Sequence, residues 1–147
     1  HVGVFEDLEQ VLQRSFGGPG RMEVLHHMFD RLRACHVAIL VVTRNSAHVV
    51  KQALGRVGIM PYVNDSFIFG FEDYGDNVPK SRVIREKILE VFGLRASALL
   101  FVDDDPSNIA DVDKECPGCK TIQPPRHGLQ QEHCDQIVAW AEQLSPE

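Results

Sequence analysis

Two short runs of the chain are apolar at every position: Val37-Ala38-Ile39-Leu40-Val41-Val42 and Ala98-Leu99-Leu100-Phe101-Val102. Successive side chains of an extended strand point to opposite faces. A run with no polar residue therefore has two faces to bury. A strand covered by helices on both sides meets that condition, and sheets of that kind are mostly parallel. Both runs are far shorter than the roughly 20 apolar residues that a membrane-spanning helix needs.

The segments around these runs carry helical spacing. Met22 to Arg33 places Val24, Leu25, Met28, Phe29 and Leu32 on one side. Ser46 to Val57 reads as a second helix with Gly58 just past its end. Lys80 to Phe92 has Val83, Ile84, Ile88 and Val91 as its stripe, then Gly93. Pro106 to Lys114 opens with a proline suited to a first turn. Gln130 to Leu144 closes the chain with Ile137, Val138, Trp140 and Leu144. Ser66 to Phe69 is a short strand, Thr121-Ile122 an edge strand, and Phe71 to Pro79 an acidic loop. At the amino end Phe5, Leu8, Val11, Leu12 and Phe16 recur at three- and four-residue spacings. They predict a helix from Val4 to Phe16, stopped by Gly17-Gly18-Pro19-Gly20. Helices alternating with apolar strands specify an α/β fold: three layers, α/β/α, around a mostly parallel, Rossmann-like sheet. With no repeat and no long linker, residues 1–147 read as a single domain. The chain opens at His1 without an initiator Met, which reads as a fragment or processed form.

A net charge of -6 with no basic cluster argues against nucleic acid and anionic membrane as partners. Four cysteines are too few for a disulfide scaffold and favour a reducing, cytoplasmic setting. Nothing in the sequence sets the oligomeric state.

Parallel sheets bind ligands at the carboxyl ends of their strands. Two strand ends carry suitable chemistry: Thr43-Arg44-Asn45 and Asp103-Asp104-Asp105. Between them Lys80 opens a helix just after Pro79. Adjacent carboxylates supply the hard oxygens that Mg²⁺ takes. The Thr43 hydroxyl, Lys80 and nearby N–H groups suit phosphate oxygens. Taken singly, each has a plain alternative. Thr43 ends a strand, Lys80 is a solvated helix residue, and the aspartates cap the next helix.

The order Val41-Val42-Thr43-Arg44-Asn45, then Pro79-Lys80, then Leu100-Phe101-Val102-Asp103-Asp104-Asp105-Pro106-Ser107-Asn108-Ile109 resembles the haloacid dehalogenase (HAD) superfamily. Phe16-Gly17-Gly18-Pro19-Gly20-Arg21 is similar to a subset of its phosphatase-like members. The resemblance covers residues 16 to 122. It implies a HAD-like core with little or no cap and a Mg²⁺-dependent phosphohydrolase. The implied substrate is a phosphorylated small molecule or a phosphoprotein. Thr43 and Lys80, with Arg44 and Asn45 beside Thr43, would bind the phosphoryl group, and Asp103 and Asp104 would hold Mg²⁺. The family nucleophile is an aspartate in an Asp-x-Asp-x-Thr motif on the first strand. It forms an aspartyl-phosphate, and the second aspartate is the general acid and base.

No Asp-x-Asp-x-Thr occurs in the chain. The nearest segment is Asp7-Leu8-Glu9-Gln10-Val11, which would make Asp7 the nucleophile and Glu9 a longer acid/base. These residues carry the helical stripe, so the preferred expectation puts the motif and its strand upstream of His1. The chain alone would then have negligible phosphatase activity. That expectation has a cost, because the family's first strand lies between those ending at Thr43 and Asp103. Its loss would leave two strand edges unpaired unless Val2 to Phe5 substitutes. The alternative function is a non-catalytic HAD-like module that binds a phosphorylated ligand or protein.

The remaining chemistry-bearing residues have bland readings beside sharp ones. Cys116-Pro117-Gly118-Cys119 is a turn with two ordinary thiols or, with His127 and His133 or Cys134, a zinc site. His26 and His27 are adjacent on a helix and point about 100° apart, which suits a surface pair better than a shared metal. Glu72, Asp73, Tyr74, Asp76 and Asn77 form a solvated loop or a substrate-facing lip. Arg44 contacts an anionic substrate or pairs with a neighbouring carboxylate. Cys35 is a core or boundary thiol.

Overall fold

In the computed structural model, which describes residues 2–6, 19–75, 77–125 and 128–144, both apolar runs are strands. Five parallel strands form one sheet: β1 (Val2–Glu6), β2 (Ala38–Val42), β3 (Val63–Phe69), β4 (Leu99–Val102) and β5 (Lys120–Ile122). Their order is β3-β2-β1-β4-β5. Helices α1 (Pro19–Ala34), α2 (Ala47–Arg56) and α5 (Gln131–Leu144) cover one face. Helices α3 and α4 (Pro106–Glu115) cover the other. Helix α3 begins as Lys80–Val83, passes through π-helical turns at Ile84–Leu89 and finishes as Glu90–Phe92.

The alternation of each strand sorts its side chains between two cores. Ile39, Val41, Leu100 and Val102 pack with Leu25, Phe29, Leu54, Ile137 and Trp140. Leu40, Val42, Leu99 and Phe101 pack with Val83, Ile84, Ile88 and Val112. This two-sided burial is the reason both runs contain no polar residue.

The helix expected from Val4 is corrected by β1: Val4 to Glu6 are extended, and residues 7–16 of that expectation lie outside the described residues. Pairing decides it. Val4 sits opposite Leu40 on one side and Phe101 on the other, and it is fully buried. A helix over these residues would strand the backbone polar groups of both neighbouring strands, whereas a strand satisfies them. Tertiary pairing of this kind overrides a local helical stripe. The edges of β2 and β4 that face each other are thus both joined to β1.

A second correction concerns α3. Val91, expected on the buried stripe, is 66% exposed. Each π turn takes more residues than an α turn. The stripe counted at 3.6 residues per turn therefore drifts off the core after Ile88.

Candidate functional site

The register of the central strands places the expected site residues on one edge. Glu6 pairs with Val42, and Phe5 pairs with Val102. Thr43 and Asp103, each one residue further on, flank the carboxyl end of β1. With neighbouring strands about 4.8 Å apart, their backbones lie roughly 10 Å from each other. Thr43 is fully buried and donates its N–H to the Phe69 carbonyl at 2.9 Å. Its hydroxyl oxygen accepts the Asn45 N–H at 3.0 Å, which tightens the turn into α2. Arg44 and Asn45 are exposed on the rim.

Asp103 is also fully buried. Its Oδ1 accepts the Asp105 N–H at 2.8 Å, and its Oδ2 accepts the Asn108 amide at 2.9 Å. Lys80, the first residue of α3, directs its ammonium to the same Oδ2 at 3.6 Å, with no side-chain exposure on either partner. The structure therefore brings Lys80 and Asp103 together from two separate junctions. Burial pulls the Lys80 ammonium down to about 8, against the attraction of Asp103. Burial likewise pushes the Asp103 carboxyl up, opposed by Lys80 and by the hydrogen bonds from Asp105 and Asn108.

The donor set fits Mg²⁺. A carboxylate offers about four lone-pair directions, and Asp103 turns two to N–H donors and a third toward the Lys80 ammonium. Asp104, the next residue along the chain, is half-buried and carries a second carboxylate. Magnesium takes one or two carboxylates and fills its shell with water and phosphate oxygens. It needs no closed cage, and no cluster of three or more metal-binding His, Cys, Asp or Glu side chains occurs among the described residues. Asp105 is spoken for: it caps α4, and the Ser107 hydroxyl and N–H hold its carboxyl below the usual range.

Other candidates are placed elsewhere. The segment expected as loop from Phe71 begins instead as a short helix, Phe71–Tyr74, in which Glu72 accepts the Ala47 N–H at 2.7 Å and Asp73 the Gly70 N–H at 2.8 Å, so both carboxylates brace the junction after β3. Asp76 lies outside the described residues, as does Asp7. His26 bonds the Val57 carbonyl at 3.2 Å, and His27 is exposed. Cys116 to Cys119 form a tight turn closed by the Cys119 N–H on the Cys116 carbonyl at 3.1 Å. Burial raises the Cys116 thiol and pushes Cys119 up to about 12. His127 lies outside the described residues.

Two contributors escaped the sequence reading. Asn108, on the first turn of α4, holds the Asp103 carboxylate. Asp111, on the same helix, accepts the Ser81 N–H at 3.0 Å. The available signal was Pro79, a residue with no side-chain acceptor at a helix start.

No protein-family model matches the sequence, and no curated protein does. Solved structures match over nearly the whole chain. An uncharacterised protein from Corynebacterium glutamicum superposes with a TM-score of 0.67 at 12% identity, over 96% of this chain and 94% of its own. A HAD family hydrolase from Deinococcus radiodurans, with bound phosphate and sodium, gives 0.56 at 10% identity over 99% and 98%. A conserved haloacid dehalogenase-like protein of unknown function from Agrobacterium tumefaciens gives 0.53 at 14% identity over 95% and 89%.

Proposed function

We propose that this chain, whose fold is haloacid dehalogenase-like, is the core of a Mg²⁺-dependent phosphohydrolase acting on a phosphorylated small molecule or a phosphoprotein. The observation that carries the reading is the fully buried Lys80–Asp103 pair at the carboxyl ends of the central strands, with buried Thr43 at the same end of the sheet, two strands away. A buried cation, a hydroxyl and a carboxylate at one edge suit a transferring phosphoryl group and its metal. The phosphate bound by the fold-mate from Deinococcus radiodurans supports the same ligand chemistry. Residues 1–147 act as one domain in a cytoplasmic setting. No described helix is long and apolar enough to cross a membrane.

In this reading Asp7 is the nucleophile. Its support is its place in the chain, next after Glu6, the last residue of the strand between those of Thr43 and Asp103. An Asp7 carboxylate oxygen attacks phosphorus in line with the ester oxygen, which leaves with a proton from Glu9. Water then hydrolyses the aspartyl-phosphate and returns a proton to Glu9. Thr43 donates its hydroxyl, and Lys80 its ammonium, to the phosphoryl oxygens, with Arg44 and Asn45 at the rim. Asp103 and Asp104 would hold Mg²⁺, which supplies charge neutralisation at the transferring group.

A second reading keeps the site without the chemistry. Glu9 and Val11 stand where the family has aspartate and threonine, which favours a module that binds a phosphorylated ligand without turnover. An aryl phosphate assay with and without Mg²⁺ separates the two. The enzyme reading expects Mg²⁺-dependent hydrolysis that Asp7→Asn abolishes. It also expects Asp103→Asn to weaken Mg²⁺ binding by more than about tenfold, since one charge of a buried ligand is lost. Phosphate binding with no hydrolysis would establish the binding module. Unchanged Mg²⁺ affinity in Asp103→Asn would remove the metal assignment.

A further inference from the structure

The first turn of a helix leaves N–H groups without intrahelical partners, and a side chain at the N-cap commonly accepts one of them. At α3 the N-cap is Pro79, which makes no side-chain cap hydrogen bond. The acceptor comes from another helix. Asp111 of α4 takes the Ser81 N–H at 3.0 Å, where the positive end of α3 favours a carboxylate. Ser81 is 1% exposed, so water is a poor substitute for that acceptor. The other peptide group of Ser81 is held by α4 as well, since the Cys116 thiol at its carboxyl end donates to the Ser81 carbonyl at 3.8 Å.

The same helix also grips the anion. Asn108 donates to Asp103, and Asn108 and Asp111 stand three residues apart, one turn along one side of α4. One turn of α4 thus fixes the Asp103 carboxylate, and the next fixes the peptide adjoining Lys80. The separation of Lys80 from Asp103 is set through a single rigid element.

We infer that Asp111 is a positioning residue: by holding the first turn of α3 against α4 it registers Lys80 with Asp103. What that register serves rests on the phosphoryl-transfer reading. The register itself rests on the hydrogen bonds.

The test uses the full chain with ¹³C-labelled lysine, the Lys80 ε-methylene signal being assigned by its absence in Lys80→Met. Orthophosphate binding in the presence of Mg²⁺ is measured beside it by calorimetry. Asp111→Ala should move the Lys80 signal toward those of exposed lysines and weaken orthophosphate binding by about tenfold, the scale of a misplaced contact group. Asp111→Asn keeps an oxygen that accepts the Ser81 N–H and should recover most of that affinity. In a Lys80→Met background Asp111→Ala should change the affinity by less than about twofold, because its effect passes through Lys80. An unchanged Lys80 signal and affinity in Asp111→Ala would overturn the proposal, as would an equal loss in the Lys80→Met background. Should Asp111→Ala not fold, Asp111→Ser, too short to reach the N–H, serves the same comparison. If the wild-type chain binds no orthophosphate, the phosphoryl-transfer reading falls, and the Lys80 signal alone decides the positioning role.

Discussion

Lys80 carries the sharpest consequence at the scale of one residue. Its ordinary value is 10.5, and burial brings it to about 8 in the folded chain. Between those values the unfolded chain holds a proton that the folded chain has given up. Stability therefore rises as pH climbs from about 8 to 10.5, and the contribution is absent below that window. Compared with Lys80→Met, the wild-type chain should gain on the order of 3 kcal/mol across the window, read from urea midpoints. A flat difference would mean that water or a further partner keeps the ammonium charged. Thr43, Lys80 and Asp103 were legible in the sequence because each follows a recognisable strand or precedes a recognisable helix. Asn108 was legible only as part of a motif, although its partner Asp103 lies just before it in the chain, and Asp111 was not legible because its partner Ser81 belongs to another helix. Glu72 and Asp73 read as a solvated loop or a lip from their charge, and only the fold reveals that the Ala47 N–H at the start of α2 and the Gly70 N–H after β3 occupy them.

At the scale of the element, two glycines separate strain from crowding. Gly93 ends α3 in the left-handed region at φ +63, with open space around a would-be Cβ. Gly93→Ala should cost about 1 kcal/mol, for backbone strain alone. Gly70 ends β3, and a Cβ there would stand 2.5 Å from the Ala47 nitrogen and 2.8 Å from the Asn45 carbonyl oxygen. Neither backbone atom can swing aside, so the turn from Thr43 into α2 must shift. Gly70→Ala should cost roughly 3 kcal/mol and lower the melting temperature well below that of Gly93→Ala. A smaller loss in Gly70→Ala than in Gly93→Ala would contradict the packing described. The helices and buried strands were legible to within a few residues because their apolar positions repeat with a clear period. The short helical turns at Met60–Tyr62, Phe71–Tyr74 and Ala96–Ala98 were not, nor were three further features. The strand at Val2–Glu6 is too short for its period to compete with an overlapping helical stripe. The π turns of α3 change the period midway. β3 begins at Val63, earlier than Ser66, because its first residues are mostly exposed and carry no apolar signal.

For the whole molecule the decisive element is β1, the central strand, which is paired both with the strand that leads to Thr43 and with the strand that leads to Asp103. Gly3 pairs with Ile39 on one side and Leu100 on the other. Proline there removes a ladder donor and collides with its surroundings, so Gly3→Pro should cost about 3 kcal/mol or more. Against a total stability of about 5–15 kcal/mol, that is enough to unfold much of the population. A helix beginning at Val4 would tolerate proline at that point, so an unaltered melting curve would restore the helical reading. The overall architecture was legible because two-sided burial leaves few arrangements for a short apolar run. The occupant of the central slot was not, since that choice depends on pairing between residues far apart in sequence.

The central place of β1 also bears on how the chain leaves the ribosome. β1 emerges ahead of the other four described strands. β2 follows within about 35 residues, but β4 comes roughly a hundred residues after β1. At about 5–20 residues per second, one side of the nascent sheet waits on the order of 5–20 s for its neighbour. Throughout that interval the growing polypeptide presents an open, apolar strand edge, the kind of surface that chaperones shield and that other unfinished chains can join.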